Sequence, residues 1–244
     1  MANKSLLEAG KPRIAIFGAS GAIGSGLVDW FAARDWDVIA IVRQPATGAA
    51  ERKHVSVVQW NPLTEASVPA AVEHLDAVVW AQGDNCVDNI RDLDYLRHLR
   101  MYEANVGHIL VSLHALLGAG ALARGGARLC VISSIWQNIA RQNKLSYCVT
   151  KSALQGLVRS VSLDLADDGH VINAVLPGAL DTPMTRANLS AEQIARLEGA
   201  TPGSRLATVD DVAAVVEFCC APGHRAITGQ FLTVDKGFTH ARIV

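Results

Sequence analysis

The fold of this chain is decided by residues 13–34, which read RIAIFGASGAIGSGLVDWFAAR. Arg13 to Phe17 has the apolar character of a short buried strand, and apolar residues recur at helical spacing from about Ile23 to Arg34. Val38 to Val42 follows as a second apolar strand, so the chain opens with a strand–helix–strand unit. The glycine-rich turn between the first strand and the helix is of the kind that lets backbone amides approach a phosphate closely. This opening therefore predicts a nucleotide site.

Strands and helices alternate along the rest of the 244 residues. The further predicted strands are Val55 to Gln59, Ala77 to Trp80, Arg128 to Ile132, Val171 to Leu176 and Phe231 to Val234. The further predicted helices run from Tyr102 to Leu117, from Tyr147 to about Asp167 and from Asp210 to Cys220. Because the strands are continuous in Val, Ile and Ala, both of their faces should be buried. We therefore predict one α/β domain over residues 1–244, with a single Rossmann-type, doubly wound parallel sheet of about seven strands and helices on both faces.

One connection is longer than a compact domain needs. Pro177-Gly178 breaks the pattern of the sixth strand, and a segment of mixed polar and apolar residues follows to about Ser204. Long connections in compact domains are often lids over a site. We expect residues 179–205 to form a substrate loop region.

The composition excludes several classes of partner. The 22 Lys and Arg residues nearly balance the 23 Asp and Glu residues, so no charge excess points to nucleic acid or to an anionic membrane.

The five cysteines include no C-x-x-C pair, and their odd number in apolar surroundings indicates reduced thiols in the cytoplasm. The first dozen residues lack the apolar core of a signal peptide, no apolar run is long enough to span a membrane, and the scattered histidines predict no metal site.

The end of the second strand bears on the form of the nucleotide. An Asp or Glu there would accept hydrogen bonds from a free ribose 2′-hydroxyl and repel a 2′-phosphate. The chain has Val42 followed by Arg43, so the carboxylate is absent and a guanidinium, which suits phosphate, is available. This favours NADP(H), with NAD(H) as the alternative if Arg43 is only a solvated loop residue.

Tyr147 and Lys151 stand four residues apart, so a helix starting near Tyr147 places both side chains on one face. An ammonium beside a phenol favours the phenolate and lowers the tyrosine pKa towards neutrality, which suits a proton donor and acceptor. Ser134 follows the strand Arg128 to Ile132, at the strand end where open α/β sheets bind ligands. Taken alone, the Tyr–Lys pair also occurs by chance on solvated helix faces. The three residues together are candidates for proton transfer.

With a glycine turn in front of them, these motifs resemble those of the short-chain dehydrogenase/reductase family, over nearly everything from Arg13 to Phe238. The family's T-G-x-x-x-G-x-G turn is similar to residues 17–24, its helix asparagine to Asn105, and its serine, tyrosine and lysine to Ser134, Tyr147 and Lys151. Its P-G-x-x-x-T turn is similar to residues 177–182, and its closing strand to ITGQFLTVDKG at residues 227–237.

The resemblance implies hydride transfer between a nicotinamide and a carbonyl or an alcohol. It implies that Tyr147 exchanges the proton, that Ser134 holds the carbonyl oxygen, that Lys151 lowers the tyrosine pKa and holds the nicotinamide ribose, and that Asn105 positions a water connecting Lys151 to solvent. The implied cofactor contacts are Gly18, Ser20, Gly21, Ile23, Gly24, Arg43, Asn61, Gly83, Tyr147, Lys151, Pro177, Gly178, Leu180 and Thr182. Asn61 would meet the adenine, and Thr182 with the backbone near Leu180 would clasp the carboxamide.

The chain departs from the family pattern at the adenosine end. Phe17 stands where the family usually has Thr, and Ala22 where it has its middle Gly. The family's N-N-A-G after the fourth strand is here Trp80-Ala81-Gln82-Gly83, and Asn61 stands where an Asp usually meets the adenine. The motifs that would contact the nicotinamide keep the family pattern. The sequence therefore supports hydride transfer more firmly than it supports NADP(H) over NAD(H).

The leading hypothesis is an NADPH-dependent carbonyl reductase that transfers hydride to an apolar ketone or a 3-oxoacyl substrate. The alternatives are an NAD-dependent alcohol dehydrogenase and a non-catalytic dinucleotide-sensing protein that has kept the fold. The resemblance also implies that the helices of Asn105 and Tyr147 pair between subunits, with a second contact through the last strand. We therefore expect a homotetramer, with a dimer as the next choice.

Overall fold

The computed structural model describes residues 10–44, 52–182, 185–186 and 189–241, and the rest of the predicted domain lies outside the described residues. Seven strands form one sheet, namely β1 (Arg13–Phe17), β2 (Asp37–Val42), β3 (Val55–Gln59), β4 (Ala77–Trp80), β5 (Arg128–Ile132), β6 (Val171–Pro177) and β7 (Phe231–Val234). They lie in the order β3-β2-β1-β4-β5-β6-β7, and every neighbouring pair is parallel. The prediction of a seven-stranded parallel sheet is confirmed.

Helices cover both faces of the sheet, as the apolar strands require. They are α1 (Ala22–Ala32), α2 (Tyr95–Tyr102), α3 (His108–Gly118), α4 (Leu145–Asp164), α5 (Ala191–Gly199) and α6 (Val209–Cys220). Because successive residues of a strand point to opposite faces, Ile14 and Ile16 of β1 pack with α1 and α6, whereas Ala15 and Phe17 pack with α3 and α4. The chain therefore has two apolar cores, one on each side of the sheet.

Two predicted helices have different bounds in the structure. The helix predicted from Tyr102 begins seven residues earlier, at Tyr95, because the Asp94 side chain accepts a hydrogen bond from the Arg97 N–H at 3.0 Å and caps the helix. This helix continues through a π-helical turn at Glu103–Gly107 into α3. The helix predicted from Tyr147 to Asp167 spans Leu145–Asp164 instead.

The expectation of a loop over residues 179–205 is wrong in part, because α5 occupies its second half. The Ser190 hydroxyl accepts from the Gln193 N–H at 3.2 Å, and the Gln193 side chain accepts from the Ser190 N–H at 2.9 Å. This capping box is a sequence-level signal for a helix start, and it could have been read from the spacing of Ser190 and Gln193. Residues 183–184 and 187–188 of the predicted region lie outside the described residues.

An aromatic cluster joins the ends of β1, β3 and β4. Phe17, Trp60 and Trp80 are fully buried, and the Phe17 ring lies 5.6 Å from the Trp60 ring and 5.9 Å from the Trp80 ring, between centroids. The Trp80 indole N–H donates to Ser112 Oγ at 2.8 Å, so its polar atom is satisfied by α3. Ring packing therefore connects these strand ends at Phe17 and Trp80, the positions that depart from the family pattern.

Two further findings concern the described part of the chain. None of its helices is both long enough and apolar enough to cross a membrane. All five cysteines are free, and only Cys148 is not buried.

Candidate active site

The parallel sheet brings the predicted site residues to one edge. Gly18 follows β1, Arg43 follows β2, Asn61 and Gly83 come shortly after β3 and β4, and Ser134 comes shortly after β5. Parallel strands end at the same edge of a sheet, which is where open α/β sheets bind their ligands. The topology therefore places the predicted nucleotide residues and the predicted proton-transfer residues on the same side of the molecule.

The glycine turn after β1 needs its glycines for close packing. Gly18 has φ +73°, and a Cβ there would lie 2.5 Å from the backbone nitrogen of Gln82. A Cβ on Gly24 would collide with the Gly18 carbonyl oxygen. Gly21 donates its N–H to that same oxygen at 3.0 Å and forms the N-cap of α1, without a side-chain cap. The turn thus leaves the first amides of α1 without a protein cap, as a phosphate site requires.

A cavity of about 640 Å³ lies next to this turn. Its lining residues include Gly18, Ser20, Gly21, Arg43, Asn61, Gln82, Gly83 and His108. The volume and the mixture of glycine backbone, polar groups and one cation fit the adenosine half of a dinucleotide. The predicted contacts at the nicotinamide end, from Tyr147 to Thr182, do not line this cavity, and neither do Ile23 and Gly24 in the first turn of α1.

Arg43 directly follows β2, at the position where the sequence predicted a residue that binds phosphate. It is exposed, and its carbonyl accepts from Gln59 Nε2 at 3.3 Å. It also lines a second cavity of about 400 Å³ together with Asn61 and Arg100. Arg43 therefore borders both cavities, and no carboxylate directly follows β2 to repel a 2′-phosphate.

Ser134, Tyr147 and Lys151 come together at the end of β5. Ser134 is buried, its Oγ accepts from the Trp136 N–H at 3.3 Å, and its side chain interacts with the Tyr147 phenol. Lys151 is also buried, donates to the Ile132 carbonyl at 3.0 Å and has its Nζ 5.7 Å from the centroid of the Tyr147 ring. The structure thus brings together the three residues that the sequence predicted to take part in proton transfer.

The electrostatics of Tyr147 differ from the expectation that Lys151 lowers its pKa. Burial of the phenol raises the pKa of Tyr147, and the hydrogen bond from Ser134 opposes that shift. The Lys151 ammonium donates to the Ile132 carbonyl and is itself desolvated. The phenol is therefore protonated at neutral pH, the state that a proton donor needs.

Burial also acts on Lys151. Desolvation lowers the pKa of Lys151 from 10.5 to about 8, because the charged form loses its water. At neutral pH the ammonium is still the main form. The ammonium places a positive charge next to Tyr147 and Ser134.

Asn105 lies in the π-helical turn between α2 and α3, and its side chain is fully engaged. Its Oδ1 accepts from the Asp84 N–H at 2.7 Å, and its Nδ2 donates to the Asp84 carbonyl at 3.1 Å and to Thr150 Oγ1 at 2.9 Å. A Cβ at Gly83 would lie 3.0 Å from Asn105 Oδ1 and 3.7 Å from Lys151 Nζ, so Gly83 allows the two to approach. π-Helical turns occur frequently at functional sites. The water-positioning role of Asn105 stays a prediction.

The turn after β6 is the other predicted contact with the nicotinamide. Gly178 donates its N–H to the Val234 carbonyl at 2.9 Å, and a Cβ there would lie 2.7 Å from Asp235 Cβ. Leu180 pairs with Ala207, and Thr182 Oγ1 accepts from the Thr185 N–H at 3.1 Å. Pro177 ends β6. The structure places all four residues at the end of β6 and in the segment that follows it, and their contacts with a carboxamide stay predictions.

Sequence analysis missed a polar bridge that fixes the start of α4. The Asp88 carboxylate accepts from the Ser146 N–H at 3.1 Å and from the Ser146 hydroxyl, whereas the N-cap residue Lys144 makes no side-chain cap. Because Ser146 gives its proton to Asp88, the His98 Nδ1–H donates to Ser146 Oγ, at 2.8 Å. Asp88 lies far from Ser146 in sequence, so spacing carried no signal for this pairing.

Sequence analysis also missed two residues of the cavity wall, Gln82 and His108. Gln82 was visible only as a departure from the family pattern. His108 stands three residues after Asn105, a spacing that places the two near each other on a helix. Among the described residues, no group of three His, Cys, Asp or Glu side chains is placed to hold a metal ion.

Known proteins match this chain over nearly its whole length. A family model described as enoyl-(acyl carrier protein) reductase matches residues 18–239. The chain is 26% identical over 236 residues to the 3-oxoacyl-[acyl-carrier-protein] reductase FabG of Escherichia coli (strain K12), an alignment that covers 91% of this chain and 95% of that protein.

Two solved structures share the fold. A gluconate 5-dehydrogenase from Burkholderia cenocepacia J2315, in complex with NADP and tartrate, has a TM-score of 0.85 at 23% identity and covers 95% of this chain and 96% of its own. A 3-oxoacyl-[acyl-carrier protein] reductase from Brucella melitensis, in complex with NAD, has a TM-score of 0.85 at 22% identity and covers 96% of this chain and 99% of its own. At these identities the likeness establishes the architecture of the sheet and its helices.

The depressed pKa of Lys151 predicts a pH-dependent stability. Between about pH 8 and the ordinary value of 10.5, the unfolded chain binds more protons at this lysine than the folded chain does, so the free energy of unfolding rises with pH. The rise is roughly 3 kcal/mol across that window, at about 1.4 kcal/mol per pKa unit. Urea unfolding at fixed protein concentration should show the rise in the wild type and not in Lys151→Met.

A matched control for this measurement is Lys53→Met, which removes an exposed lysine and should keep the wild-type pH dependence. If wild type and Lys151→Met change in parallel over the window, the ammonium is not desolvated as the structure has it.

Proposed function

Because this chain belongs to the short-chain dehydrogenase/reductase family, as the match over residues 18–239 shows, we propose that it is an NADPH-dependent carbonyl reductase. Family membership makes it an oxidoreductase that acts on CH–OH and C=O groups. The proposed substrate is an apolar ketone or a 3-oxoacyl compound, and the likeness to a 3-oxoacyl reductase supports the second of these. The observation that carries the proposal is the grouping of Ser134 and Tyr147 with the buried Lys151, whose Nζ lies 5.7 Å from the centroid of the Tyr147 ring.

The protonated state of the tyrosine supports the reducing direction. The nicotinamide, when bound, supplies the hydride. Tyr147 is protonated at neutral pH because burial raises its pKa, so it can protonate the oxygen that becomes an alkoxide. Ser134 would donate a hydrogen bond to the same oxygen and stabilise the developing charge. A protonated phenol suits carbonyl reduction better than alcohol oxidation, which needs a base.

Lys151 and Asn105 would support this chemistry. The Lys151 ammonium, buried beside the phenol, favours the phenolate once the proton has left and would also hold the nicotinamide ribose. Asn105 fixes Asp84 and Thr150 around Gly83 and would position the water through which the proton is replaced. Pro177, Gly178, Leu180 and Thr182 would border the carboxamide.

The proposed cofactor is NADP(H), and the support for it is Arg43 at the end of β2 with no carboxylate nearby in that turn. The main alternative is an NAD-dependent alcohol dehydrogenase, since one protein of the same fold is in complex with NAD. We also propose a cytoplasmic location, because the five free cysteines suit a reducing compartment.

We further propose that the protein is a homotetramer, with a dimer as the next choice. The support is an apolar surface on α2, α3 and α4, whose exposed members include Tyr95, Leu96, Leu99, Leu110, Val111 and Val149. Large exposed apolar side chains gathered on neighbouring helices are typical of a protein–protein interface. Light scattering at micromolar concentration should give four chain masses, and a monomer would contradict the proposal.

The proton-transfer role predicts the outcome of Tyr147→Phe. The ring and its packing remain, but the proton donor is lost, so turnover should fall by about 10²- to 10⁴-fold while the dissociation constant of NADPH stays near the wild-type value. Steady-state kinetics with a reducible ketone and fluorescence titration of NADPH measure the two quantities. Tyr102→Phe, which alters an exposed tyrosine of α2, is the control. Retention of most of the turnover by Tyr147→Phe would show that another group transfers the proton.

The phosphate role of Arg43 predicts a selective loss. Arg43→Ala should weaken NADPH binding by about tenfold or more, because a charge-assisted contact with phosphate disappears, and should change NADH binding little. Fluorescence titrations of both nucleotides against the wild type and the variant give the comparison. Arg100→Ala tests the other arginine that borders the second cavity. A selective loss of NADPH binding in Arg100→Ala, and not in Arg43→Ala, would assign the phosphate contact to Arg100. Tighter binding of NADH than of NADPH by the wild type would favour the alcohol dehydrogenase.

A further inference from the structure

Asp88, in the segment after β4, binds the two amides that open α4. The Leu145 N–H donates to the Asp88 carbonyl at 3.3 Å, and the Ser146 N–H donates to the Asp88 carboxylate at 3.1 Å. The first turn of an α-helix leaves its N–H groups without intrahelical partners, and the helix dipole favours a carboxylate there. The N-cap residue of α4, Lys144, makes no side-chain cap. Asp88 therefore caps α4 from another part of the chain.

The segment that carries Asp88 is itself tied to the residues before α4. The Asp88 N–H donates to the Asn143 carbonyl at 3.3 Å, and residues 88 and 144 form an isolated parallel bridge. Lys144 Nζ donates to Asn85 Oδ1 at 2.8 Å and to the Cys86 carbonyl at 3.1 Å. Because several hydrogen bonds join the two segments, the carboxylate is held at a defined place relative to the start of α4.

The Asp88 carboxyl is ionised at neutral pH. It is 8% exposed, and burial alone would raise its pKa, but the hydrogen bonds from the Ser146 hydroxyl and N–H outweigh burial and lower the pKa of Asp88. A hydrogen bond to an ionised acceptor is about twice as strong as one between neutral groups. Ser146 is fully buried, and its Oγ also lies 2.8 Å from His98 Nδ1 of α2. Ser146 is therefore held from two sides.

Tyr147 lies where α4 depends most on this contact. It is the third residue of the helix and directly follows Ser146. The N-cap carbonyl accepts the first intrahelical bond of a helix, and here the Lys144 carbonyl accepts from the Cys148 N–H at 2.9 Å. Tyr147 thus precedes the first closed turn, in the part of a helix that frays. What holds this turn also decides where the phenol lies.

The other two proton-transfer residues are held independently of Asp88. Lys151 lies one turn later in α4, and its ammonium donates to the Ile132 carbonyl at 3.0 Å. Ser134 is buried and follows β5. Loss of the Asp88 contact would therefore move Tyr147 relative to Ser134 and Lys151, and would not move the three residues as one unit.

We propose that Asp88 is a positioning residue for the reduction, which acts through Leu145 and Ser146 to hold the Tyr147 phenol within reach of the substrate oxygen. Catalysis depends steeply on such placement, since a displacement of about 1 Å can cost about 100-fold in rate. Asp88 lines neither of the two cavities, so its effect should fall on the chemical step and leave nucleotide binding unchanged. This inference rests on the proposed reductase function.

The first phase of NADPH oxidation separates positioning from folding. One equivalent of NADPH is bound to the purified protein, the complex is mixed rapidly with cyclohexanone or ethyl acetoacetate, and the loss of NADPH absorbance is followed. The rate constant of this phase reports the chemistry in each active molecule, whereas its amplitude reports the fraction of molecules that are active.

Asp88→Ala should lower this rate constant by about 100-fold at the wild-type amplitude. Asp88→Asn should lower it by about tenfold, because the amide keeps an oxygen that can accept the Ser146 N–H but has only one acceptor where the carboxylate has two. Fluorescence titration should give the wild-type dissociation constant of NADPH for both variants. If Asp88→Ala does not fold, the same measurements on Asp88→Asn decide the question.

The matched control is Asp94→Asn, which makes the same exchange of carboxylate for amide at the start of α2. The Asp94 side chain accepts from the Arg97 N–H at 3.0 Å, and asparagine caps a helix about as well as aspartate does. Because α2 does not carry Tyr147, the rate constant and the amplitude should both stay at the wild-type values.

Hydrogen exchange of the nucleotide-free protein tests the anchoring without turnover. In Asp88→Ala, the amides of residues 145–148 should exchange about tenfold faster, as the loss of a helix cap predicts, whereas residues 155–164 should keep their protection. Unchanged exchange at residues 145–148 would overturn the proposal. Faster exchange along all of α4 would also overturn it, because Asp88 would then stabilise the whole helix and not its first turn.

The kinetic outcomes separate this inference from the proposed function. Wild-type rate constants in both Asp88 variants, or a reduced amplitude at the wild-type rate constant, would overturn the positioning role and leave the reductase proposal standing. Failure of the wild type to oxidise NADPH with either compound would overturn both proposals together.

Discussion

Parallel pairing of seven strands is the constraint on which the rest of this structure depends. Because β1, β4, β5 and β6 end at the same edge, residues far apart in sequence, such as Gly18, Ser134 and Gly178, lie along one edge of the sheet. The inner strands are buried on both faces and require a helix over each face, whereas the edge strand β3 is largely exposed. The site therefore inherits its geometry from the sheet, and the turns and helices that follow the strands supply the chemical groups.

The adenosine side of this edge is built differently from the pattern of the family that the chain resembles. Phe17 and Trp80 pack as aromatic rings with Trp60, and the Trp80 indole bonds to Ser112 of α3. Dispersion and burial of these rings therefore stabilise the strand ends that border the cavity next to the glycine turn.

Burial decides the electrostatics of the catalytic side. It raises the pKa of Tyr147 and lowers that of Lys151 to about 8, so burial favours the neutral form of each group and the phenol stays protonated. Desolvation penalises whichever form is charged, and this explains both directions with one cause. A tyrosine that donates its proton to a new alkoxide beside a lysine ammonium is suited to reduction of a carbonyl.

The sequence by itself determined the seven strands, the glycine turn and the grouping of Ser134, Tyr147 and Lys151, because strand periodicity and short spacings are local properties. It could also have revealed α5, whose capping box is local. Only the tertiary structure decided the start of α4 on Asp88 and the sign of the Tyr147 pKa shift. These depend on burial and on partners distant in the chain, which spacing does not encode, so packing alone could settle them.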